Sequence, residues 1–313
     1  MSKTKSEIKE TTEQNIKTVT KTKKRRRRFG DRKDGRKLRT LDPIFRVMPY
    51  IMPRRSDAQN TYSDTFDITK TESFCREKVK EGYKNFTVLH VFIAAYVRAI
   101  SQRPAGNRFV SGQKIYARNN IEVVMAIKKK MAIDGAETCI KVEFEPTDTV
   151  DEVYRKFNKV VMENIAEGSE SKVDSAAKIL NYIPGLLLRW TVKFLNFLDY
   201  FGLLPRKLTK LSPFHGSMII TSMGSLGIKP IYHHIYDFGN LPVFFAYGGK
   251  RTEISLDKDG NVVKKRCIDV KAVTDERICD GFYYASAFKI MKKCFENPEI
   301  LNEPPEEVFE DID

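Results

Sequence analysis

Apolar and polar positions in the first half of the chain predict strands and helices in turn. Residues 61–69 alternate as a strand does, and residues 70–81 have helical spacing. Residues 85–101 are apolar on nearly every side, which predicts a buried helix capped by Thr87. An imidazole on a packed helix is more often a satisfied core group than a ligand or base, so we expect this of His90. Further strands are predicted at 113–117, 121–127 and 138–144, with Asn119-Asn120 as a hairpin turn between the first two, and a charged helix should end near Ala166.

The second half of the chain continues the mixture of strands and helices. Two buried strands are predicted at 218–221 and 243–247. A hairpin follows, with strands at 251–256 and 261–270, because Asp259-Gly260 supplies the turn geometry. Residues 282–295 then have the pattern of an amphipathic helix.

Residues 179–204 are the most hydrophobic part of the chain. Arg189, Lys193 and Asp199 interrupt them, and Pro184-Gly185 breaks their start, so no transmembrane helix is predicted. A helix here has one narrow polar stripe and must be covered on most sides. It could pack under the domain, form a subunit interface, line an apolar cavity or lie in a membrane surface, and we favour the core or a subunit interface.

The N-terminal region is basic and then rich in proline. Residues 1–40 hold sixteen Lys or Arg and five Asp or Glu, so +11 of the formal charge of +14 lies there. Residues 1–28 contain no aromatic residue, which predicts a disordered basic tail. Weak contact with nucleic acid or with an acidic membrane surface would fit it, although a solvated tail is favoured over both. Pro43, Pro49 and Pro53 forbid a long regular helix after it, so an extended arm is expected.

These features predict one domain over residues 29–300. It should have an N-terminal arm at 29–60, a hydrophobic helical insertion at about 175–212 and an acidic C-terminal tail at 301–313. The five cysteines form no C-x-x-C pair and the N-terminus has no apolar segment, so we expect a cytoplasmic location with reduced cysteines. The scattered histidines and cysteines have no ligand spacing, and we expect no metal site.

Three stretches in a fixed order carry a family resemblance. They are GSMIITSMGSLG from Gly216, the hairpin from Gly248 that ends in the heptapeptide Asp-Glu-Arg-Ile-Cys-Asp-Gly at 275–281, and the helix that follows. Together with residues 85–127 they resemble the catalytic domain of the dihydrolipoamide acyltransferases of 2-oxoacid dehydrogenase complexes, and more distantly chloramphenicol acetyltransferase. Most of residues 45–300 is covered. The resemblance implies an α/β fold, a mixed-sheet sandwich of the chloramphenicol acetyltransferase type, assembled as a homotrimer.

The resemblance also implies a site in a channel between subunits that binds coenzyme A or an acyl-coenzyme A. Thr221 matches the residue that donates a hydrogen bond to the oxyanion; otherwise it is an ordinary strand residue. Asp280, beside Gly281, matches the acid that holds the backbone through an ion pair; otherwise it is a helix cap. Arg277 completes the structural motif. No lipoyl attachment site is recognised, because the charged turn at 257–260 is explained by its hairpin.

The family's catalytic histidine is replaced by Glu276. A thiol with a pKa near 8.5 would lose its proton to a carboxylate with a pKa near 4.3, a mismatch of about 5 to 6 kcal/mol, and imidazole faces about half that. His233 and His234 offer a relocated base; if they lie in a strand, at most one enters a given pocket. A polar loop pair bonded to the backbone is an equal alternative.

Two functions remain open from the sequence. The first is an acyltransferase that moves an acyl group between coenzyme A or a related thiol and an unknown acceptor, with Thr221 as the oxyanion donor and His233, His234 or Glu276 as the base. The second is a catalytically inactive trimeric scaffold that keeps the channel to bind an acyl ligand or a partner.

Overall fold

The computed structural model describes residues 26–128, 137–165, 175, 178 and 180–313. Within them lie two sheets and a set of helices. The helices are α1 (Pro43–Ile51), α2 (Thr69–Lys80), α3 (Val88–Gln102), α4 (Val150–Ile165), α5 (Gly185–Tyr200), α6 (Arg206–Leu211) and α7 (Gly281–Glu296). The strands are β1 (Gly35–Lys37), β2 (Gln59–Asp67), β3 (Arg108–Ser111), β4 (Lys114–Arg118), β5 (Ile121–Lys128), β6 (Glu137–Phe144), β7 (Met218–Ser222), β8 (Val243–Tyr247), β9 (Arg251–Leu256) and β10 (Val262–Asp275).

The larger sheet has the strand order β2-β10-β8-β7-β5-β6, and β9 pairs with the first part of β10. The pairs β5–β7 and β7–β8 are parallel, and the other neighbours are antiparallel, so the sheet is mixed. Strand β10 is long enough to pair with β9, β2 and β8 in succession. This arrangement places the end of β10, and therefore the heptapeptide, beside the start of β8.

Helices α3 and α7 cover one face of the larger sheet. Successive side chains of a strand point to opposite faces. On β8 this sends Phe245 and Tyr247 into the main core, where the Phe245 ring lies 5.3 Å from that of Phe92 on α3. Phe244 points to the opposite face and forms a small second cluster with Ile235 and Val273. We call the face that carries Phe244 the outer face of the sheet.

Most of the elements expected from the sequence are confirmed. The strand and helix on either side of residue 68 become β2 and α2, and the buried helix becomes α3 with Thr87 as its N-cap. His90 is a core group, as expected: its Nδ1 accepts a 3.0 Å hydrogen bond from the Thr87 amide and its Nε2 lies 3.4 Å from Asn158 Oδ1. Both strands before the heptapeptide and the helix after it are also in place. The charged helix is α4, which ends at Ile165; the loop that follows lies outside the described residues.

The hairpin expected across Asn119-Asn120 is wrong. Strand β4 pairs with β1 and β3 in the smaller sheet, whereas β5 pairs with β6 and β7 in the larger one. The actual hairpin joins β3 to β4 through Gly112 and Gln113, which have φ values of +55° and +56°. Two successive left-handed residues give the type of two-residue turn that fits the twist of a hairpin.

The extended arm expected before residue 60 is also corrected, because residues 43–51 form a helix. Pro43 occupies its first position, where a missing N–H costs nothing, and the Asp42 carboxylate accepts a hydrogen bond from the Ile44 amide at 3.0 Å. Pro49 lies in its last turn. The prolines limit the length of this helix without preventing it.

Residues 179–204 were expected in the core or at a subunit interface, and the core assignment is wrong within this chain. Asp199 is the buried residue of α5, while Trp190, Phe194 and Phe197 are exposed. In the described part of the chain, no helix is long and apolar enough to cross a membrane. The residues of this stretch before 180 lie outside the description.

The C-terminal residues run back along the N-terminal region. Asp311 accepts two hydrogen bonds from Arg108, at 2.7 and 2.6 Å, and Asp313 forms a 2.7 Å ion pair with Arg28. The acidic tail is therefore held by basic residues of the domain. Residues 1–25 of the basic tail are outside the described range.

Replacing Gly112 with alanine is expected to destabilise the protein by about 2 kcal/mol or more. A Cβ at this position would overlap the carbonyl oxygen of Tyr200, and the left-handed backbone adds strain. Gly260 is a matched control, because its φ is +81° and a Cβ there meets no atom within 4 Å. Urea denaturation should show a larger loss for Gly112→Ala than for Gly260→Ala; equal losses would show that the Tyr200 contact does not matter.

Candidate active site

Thr221 lies on the outer face of the larger sheet. It pairs with Ala246 of β8 and is half-buried, and no hydrogen bond of its hydroxyl is found among the described residues. The strand ends one residue later, and the chain turns through Gly224–Leu226 to Gly227, whose φ is +69°. The side chain of Thr221 is therefore held by a strand while its hydroxyl is free to donate to a ligand.

His233 lies on the same face. Its ring stacks on that of Phe244, with centroids 4.3 Å apart and an angle of 7° between the planes. Phe244 pairs with Ile219, two residues before Thr221 on β7. Two residues of a strand span about 6 to 7 Å, so the imidazole lies about that far along the strand direction from the pair Thr221 and Ala246.

The environment of His233 keeps its imidazole neutral. Burial lowers the pKa of His233, and the neighbouring His234 lowers it further. In the described part of the chain, its buried Nε2 has no hydrogen-bond partner. A neutral ring with an unused nitrogen is the state that a general base requires before it accepts a proton.

His234 is placed differently. It is exposed, and its ring packs against Tyr236 with centroids 4.9 Å apart. The two adjacent histidines thus have distinct surroundings, and His233 is the one held over the sheet beside Thr221.

Glu276 lies at the other end of β8. The amide of Asp275 donates to the carbonyl of Pro242 at 2.8 Å, and the amide of Glu276 donates to Ala58 at 2.8 Å. Pro242 is four residues from Ala246, the partner of Thr221, which corresponds to about 13 Å along a strand. Within one chain, Glu276 and Thr221 do not meet.

The heptapeptide is anchored by a buried ion pair. Arg277 donates to both oxygens of Asp275, at 2.8 and 2.7 Å, and Asp275 is 0% exposed. Arg55 brings a second guanidinium, with its Nε 3.4 Å from Asp275 Oδ2. The ion pair that the resemblance implied for Asp280 is instead made by Asp275 in the described structure. Asp280 caps α7, where its carboxylate accepts from the Tyr283 amide at 2.7 Å, and Gly281 begins the helix.

Replacing Asp275 with asparagine is expected to lower the free energy of unfolding by about 3 to 5 kcal/mol. The change leaves two buried guanidinium groups without their shared counter-charge. Asp280→Ala, which removes an exposed cap in the same heptapeptide, should cost only about 1 kcal/mol. Urea denaturation of both variants measures the difference, and similar losses would contradict the anchoring role of Asp275.

A cation that the sequence analysis missed lies on the same face. Lys271 pairs with Ala246 and is therefore two strands from Thr221. Its Nζ donates to Ser63 Oγ at 2.7 Å and lies 4.6 Å from the centre of the Tyr232 ring. Asp269, Lys271 and Val273 alternate along β10, and this spacing could have placed Lys271 on the same face as Val273 from the sequence alone. Its positive charge favours an anionic group near this face.

A buried network below the site also escaped the sequence analysis. The Nη2 of Arg32 lies 2.6 Å from Asp199 Oδ1, and its Nε lies 2.9 Å from Asp34 Oδ1. His215 adjoins them, with Nδ1 2.9 Å from Ser212 Oγ and Nε2 3.7 Å from Asp199. These contacts fix the residue before Gly216, and hence the start of β7. They join parts of the chain that are far apart in sequence, so no local motif marks them.

The buried histidines predict a loss of stability in mild acid. Burial lowers the pKa of His90 and of His215, so both are neutral in the folded protein at pH values where the unfolded chain, with a pKa near 6.5, binds protons. The free energy of unfolding should therefore fall as the pH drops below about 6.5, by up to about 1.4 kcal/mol per pH unit for each histidine. Urea titrations between pH 7.5 and 5 measure the slope, and His215→Asn should reduce it by about one proton. A slope unchanged by that variant would mean that His215 is already charged.

In the residues described, no group of three or more His, Cys, Asp or Glu side chains could hold a metal ion. No disulfide joins the cysteines of the described residues, and burial raises the pKa of Cys279 to about 12, which makes it a poor nucleophile.

Comparisons with solved structures identify the fold. No protein-family model matches the chain, and no curated protein is similar in sequence. A probable dihydrolipoamide acetyltransferase from Listeria monocytogenes 4b F2365 is 15% identical, with a TM-score of 0.51, over 84% of this chain and 95% of that chain. A chloramphenicol acetyltransferase is 11% identical, with a TM-score of 0.50, over 82% of this chain and 98% of that chain.

The chain therefore has an acyltransferase-like α/β fold. More particularly, it has the chloramphenicol acetyltransferase-like fold of the dihydrolipoamide acetyltransferase catalytic domains, as its motifs predicted. At identities of 11% and 15%, the similarity supports the same fold and does not show the same reaction.

Proposed function

We propose that the protein transfers an acyl group between coenzyme A, or a related thiol, and a second acceptor. The observation that supports this most strongly is the presence of two groups without a hydrogen-bond partner on one sheet face of the described structure. They are the hydroxyl of Thr221 and Nε2 of His233. The hydroxyl can donate a hydrogen bond to an oxyanion. Nε2 can accept a proton from a bound thiol after a local movement, because this nitrogen is buried in the structure. The acyl carrier is a substrate of this reaction.

The reaction needs a base for the incoming thiol. In the proposed step, neutral His233 takes the thiol proton, and the sulfur forms a bond to the carbonyl carbon of the bound thioester. The carbonyl oxygen becomes negative and accepts a hydrogen bond from Thr221. The intermediate collapses with cleavage of the original carbon–sulfur bond, and the departing thiolate takes the proton back from His233. Atoms and charges balance, and no further reactant is needed.

The choice of His233 over His234 follows from position, and its choice over Glu276 follows from basicity. His234 is exposed against Tyr236. Glu276 of the same chain is about 13 Å away along the strand, so in the proposed trimer only the Glu276 of a neighbouring subunit could reach Thr221. A carboxylate also has the larger pKa mismatch with a thiol.

A homotrimer with the substrate channel between subunits is part of the proposal. It rests on the resemblance of the motifs and on the likeness in fold, and it would bring residues of a neighbouring subunit to the outer face. Sedimentation of the full chain should then give three times the mass of 36.1 kDa.

The test is an assay of acyl exchange that assumes no physiological acceptor. The full chain is incubated with acetyl-coenzyme A and a small dithiol, and thioester transfer is followed against the uncatalysed rate. We expect saturable, enzyme-dependent transfer. Saturable binding of acetyl-coenzyme A without transfer would support the inactive scaffold instead, which Glu276 at the histidine's motif position favours. Neither binding nor transfer would reject both.

A further inference from the structure

The exposed side of α5 is unusually apolar and aromatic for a protein surface. Trp190 is 67% exposed, and Leu186, Leu187, Phe194 and Phe197 are all exposed with it. These residues cover most of the helix, because Asp199 is its buried residue. A contiguous apolar surface of this kind is typical of a site that binds another protein or a membrane.

A second exposed apolar helix lies close by. Helix α1 presents Ile44, Val47, Tyr50 and Ile51 to solvent. The turn between β3 and β4 connects it to α5, because Gln113 lines a cavity together with α1 and accepts a 2.8 Å hydrogen bond from the hydroxyl of Tyr200. Both helices therefore adjoin the turn of the smaller sheet's hairpin. We call α1, this cavity and α5 the docking surface.

The cavity in the docking surface is basic. It has a volume of about 380 Å³, and its charged lining consists of Lys37, Arg39, Arg46 and Lys114, without an acid. Asp31 forms an ion pair with Arg39 at 2.9 Å. Among the described residues, the other three cations have no acidic partner. Four cations around a cavity of this size suit a phosphate-bearing group.

The residues around α5 are mainly basic, as are those that line the cavity. Between residues 180 and 212 the only acid is Asp199, which is buried against Arg32. Arg189, Lys193 and Lys207 are exposed in this range. Residues 23–28 of the sequence, immediately before the fully exposed Phe29, are all basic. The docking surface thus combines exposed apolar side chains with an excess of positive charge.

We propose that the docking surface binds the face of a bilayer that contains anionic phospholipid. Helix α5 would lie in the interface with its aromatic side chains among the upper acyl chains, and the cavity would hold a lipid phosphate. At 16 residues, α5 spans about 24 Å, which is too short to cross the hydrocarbon core and suits a helix lying in its surface. A tryptophan and basic side chains that reach to the headgroups are typical of that depth.

The charge distribution disfavours a twofold contact with a second copy of the chain. Two docking surfaces facing each other across a twofold axis would bring like charges together, whereas an anionic bilayer meets both the apolar and the basic parts. Nucleic acid would satisfy the cations and leave the aliphatic leucines of α5 exposed to water.

Trp190 is the single tryptophan of the chain, so its fluorescence reports on this helix alone. The full chain is titrated with vesicles of phosphatidylcholine and with vesicles in which about a third of the lipid is phosphatidylglycerol. We expect a blue shift and protection from acrylamide on the anionic vesicles, at least about tenfold weaker binding to phosphatidylcholine alone, and weaker binding in high salt.

Two pairs of variants separate the parts of the surface. Lys37→Gln with Lys114→Gln should weaken binding to anionic vesicles about 30-fold, while Lys258→Gln with Lys264→Gln, on the distant hairpin, should leave it within threefold. Phe194→Ala with Phe197→Ala should weaken it at least about tenfold, in contrast to Ile254→Ala with Leu256→Ala, which are also exposed.

Several results would overturn the proposal. An unshifted Trp190 emission at lipid excess, or equal binding to both kinds of vesicle, would exclude an anionic bilayer as the partner. A blue shift that rises with protein concentration in the absence of lipid would indicate a second copy of the chain. Loss of inorganic phosphate binding in the Lys37 and Lys114 variant, with unchanged vesicle binding, would indicate a free phosphate ligand. The vesicle assay requires no acyl transfer, so its outcome is independent of the proposed function.

Discussion

Thr221→Ala is expected to lower the turnover of acyl transfer by about 10² to 10³, because loss of one oxyanion donor costs about 2.7 to 4 kcal/mol in the transition state. Thr221 lies on β7 and no hydrogen bond of its hydroxyl is found, so the substitution breaks none among the described residues. The effect should therefore fall on kcat, with little change in KM for the acyl carrier. Steady-state rates of acetyl transfer to a dithiol measure it.

Two further substitutions at this position isolate the hydroxyl. Thr221→Ser keeps the donor and should retain activity within about tenfold, while Thr221→Val keeps the branched shape of the side chain and should behave like Thr221→Ala. A valine variant as active as the serine variant would show that shape, and not the hydrogen bond, is what the site requires.

His233→Gln is expected to reduce the rate by about 10² to 10⁴, the contribution of a positioned general base. Glutamine keeps a polar atom near the position of Nε2 but cannot take the thiol proton. In the wild type, kcat/KM should fall at low pH, where His233 becomes protonated. This fall should occur below the usual histidine range, because burial lowers the pKa of His233. The acidic limb of the pH profile should disappear in the variant.

The adjacent histidine is the control. His234 is exposed, so His234→Gln should stay within about threefold of the wild type. Equal losses in the two variants would favour a common structural role for the pair over catalysis by His233.

The local parts of the fold were predictable from sequence because burial imposes periodicity. The apolar run after Thr87 gave α3, and the Asp-Gly turn gave the hairpin before the heptapeptide. The pairing of β4 and β5 was not predictable in this way. Asn119-Asn120 separates two strands that belong to different sheets, and each strand has one partner distant in sequence, namely β1 for β4 and β7 for β5. Register across distant segments leaves no local signal.

Contacts between segments distant in sequence also limited what could be predicted about the candidate active site. Thr221 followed from its motif, and the conflict at Glu276 was visible as soon as the heptapeptide was read. The choice between His233 and His234 was open, because it depends on the stacking of one ring on Phe244. The anchoring of Asp275 depends on Arg55, which lies 220 residues earlier and has no sequence relation to the motif. The exposure of α5 also could not be read from its composition, which suits a core helix equally well.

The central claim is that the reaction centre uses His233 and does not use the glutamate at the motif position. The most direct measurement is the rate of acetyl transfer by His233→Gln and Glu276→Gln, assayed side by side as full-length proteins. We predict a loss of at least about 100-fold for His233→Gln and a rate within about threefold of the wild type for Glu276→Gln. The reverse order, with Glu276→Gln inactive and His233→Gln near normal, would contradict the account and place the base on Glu276.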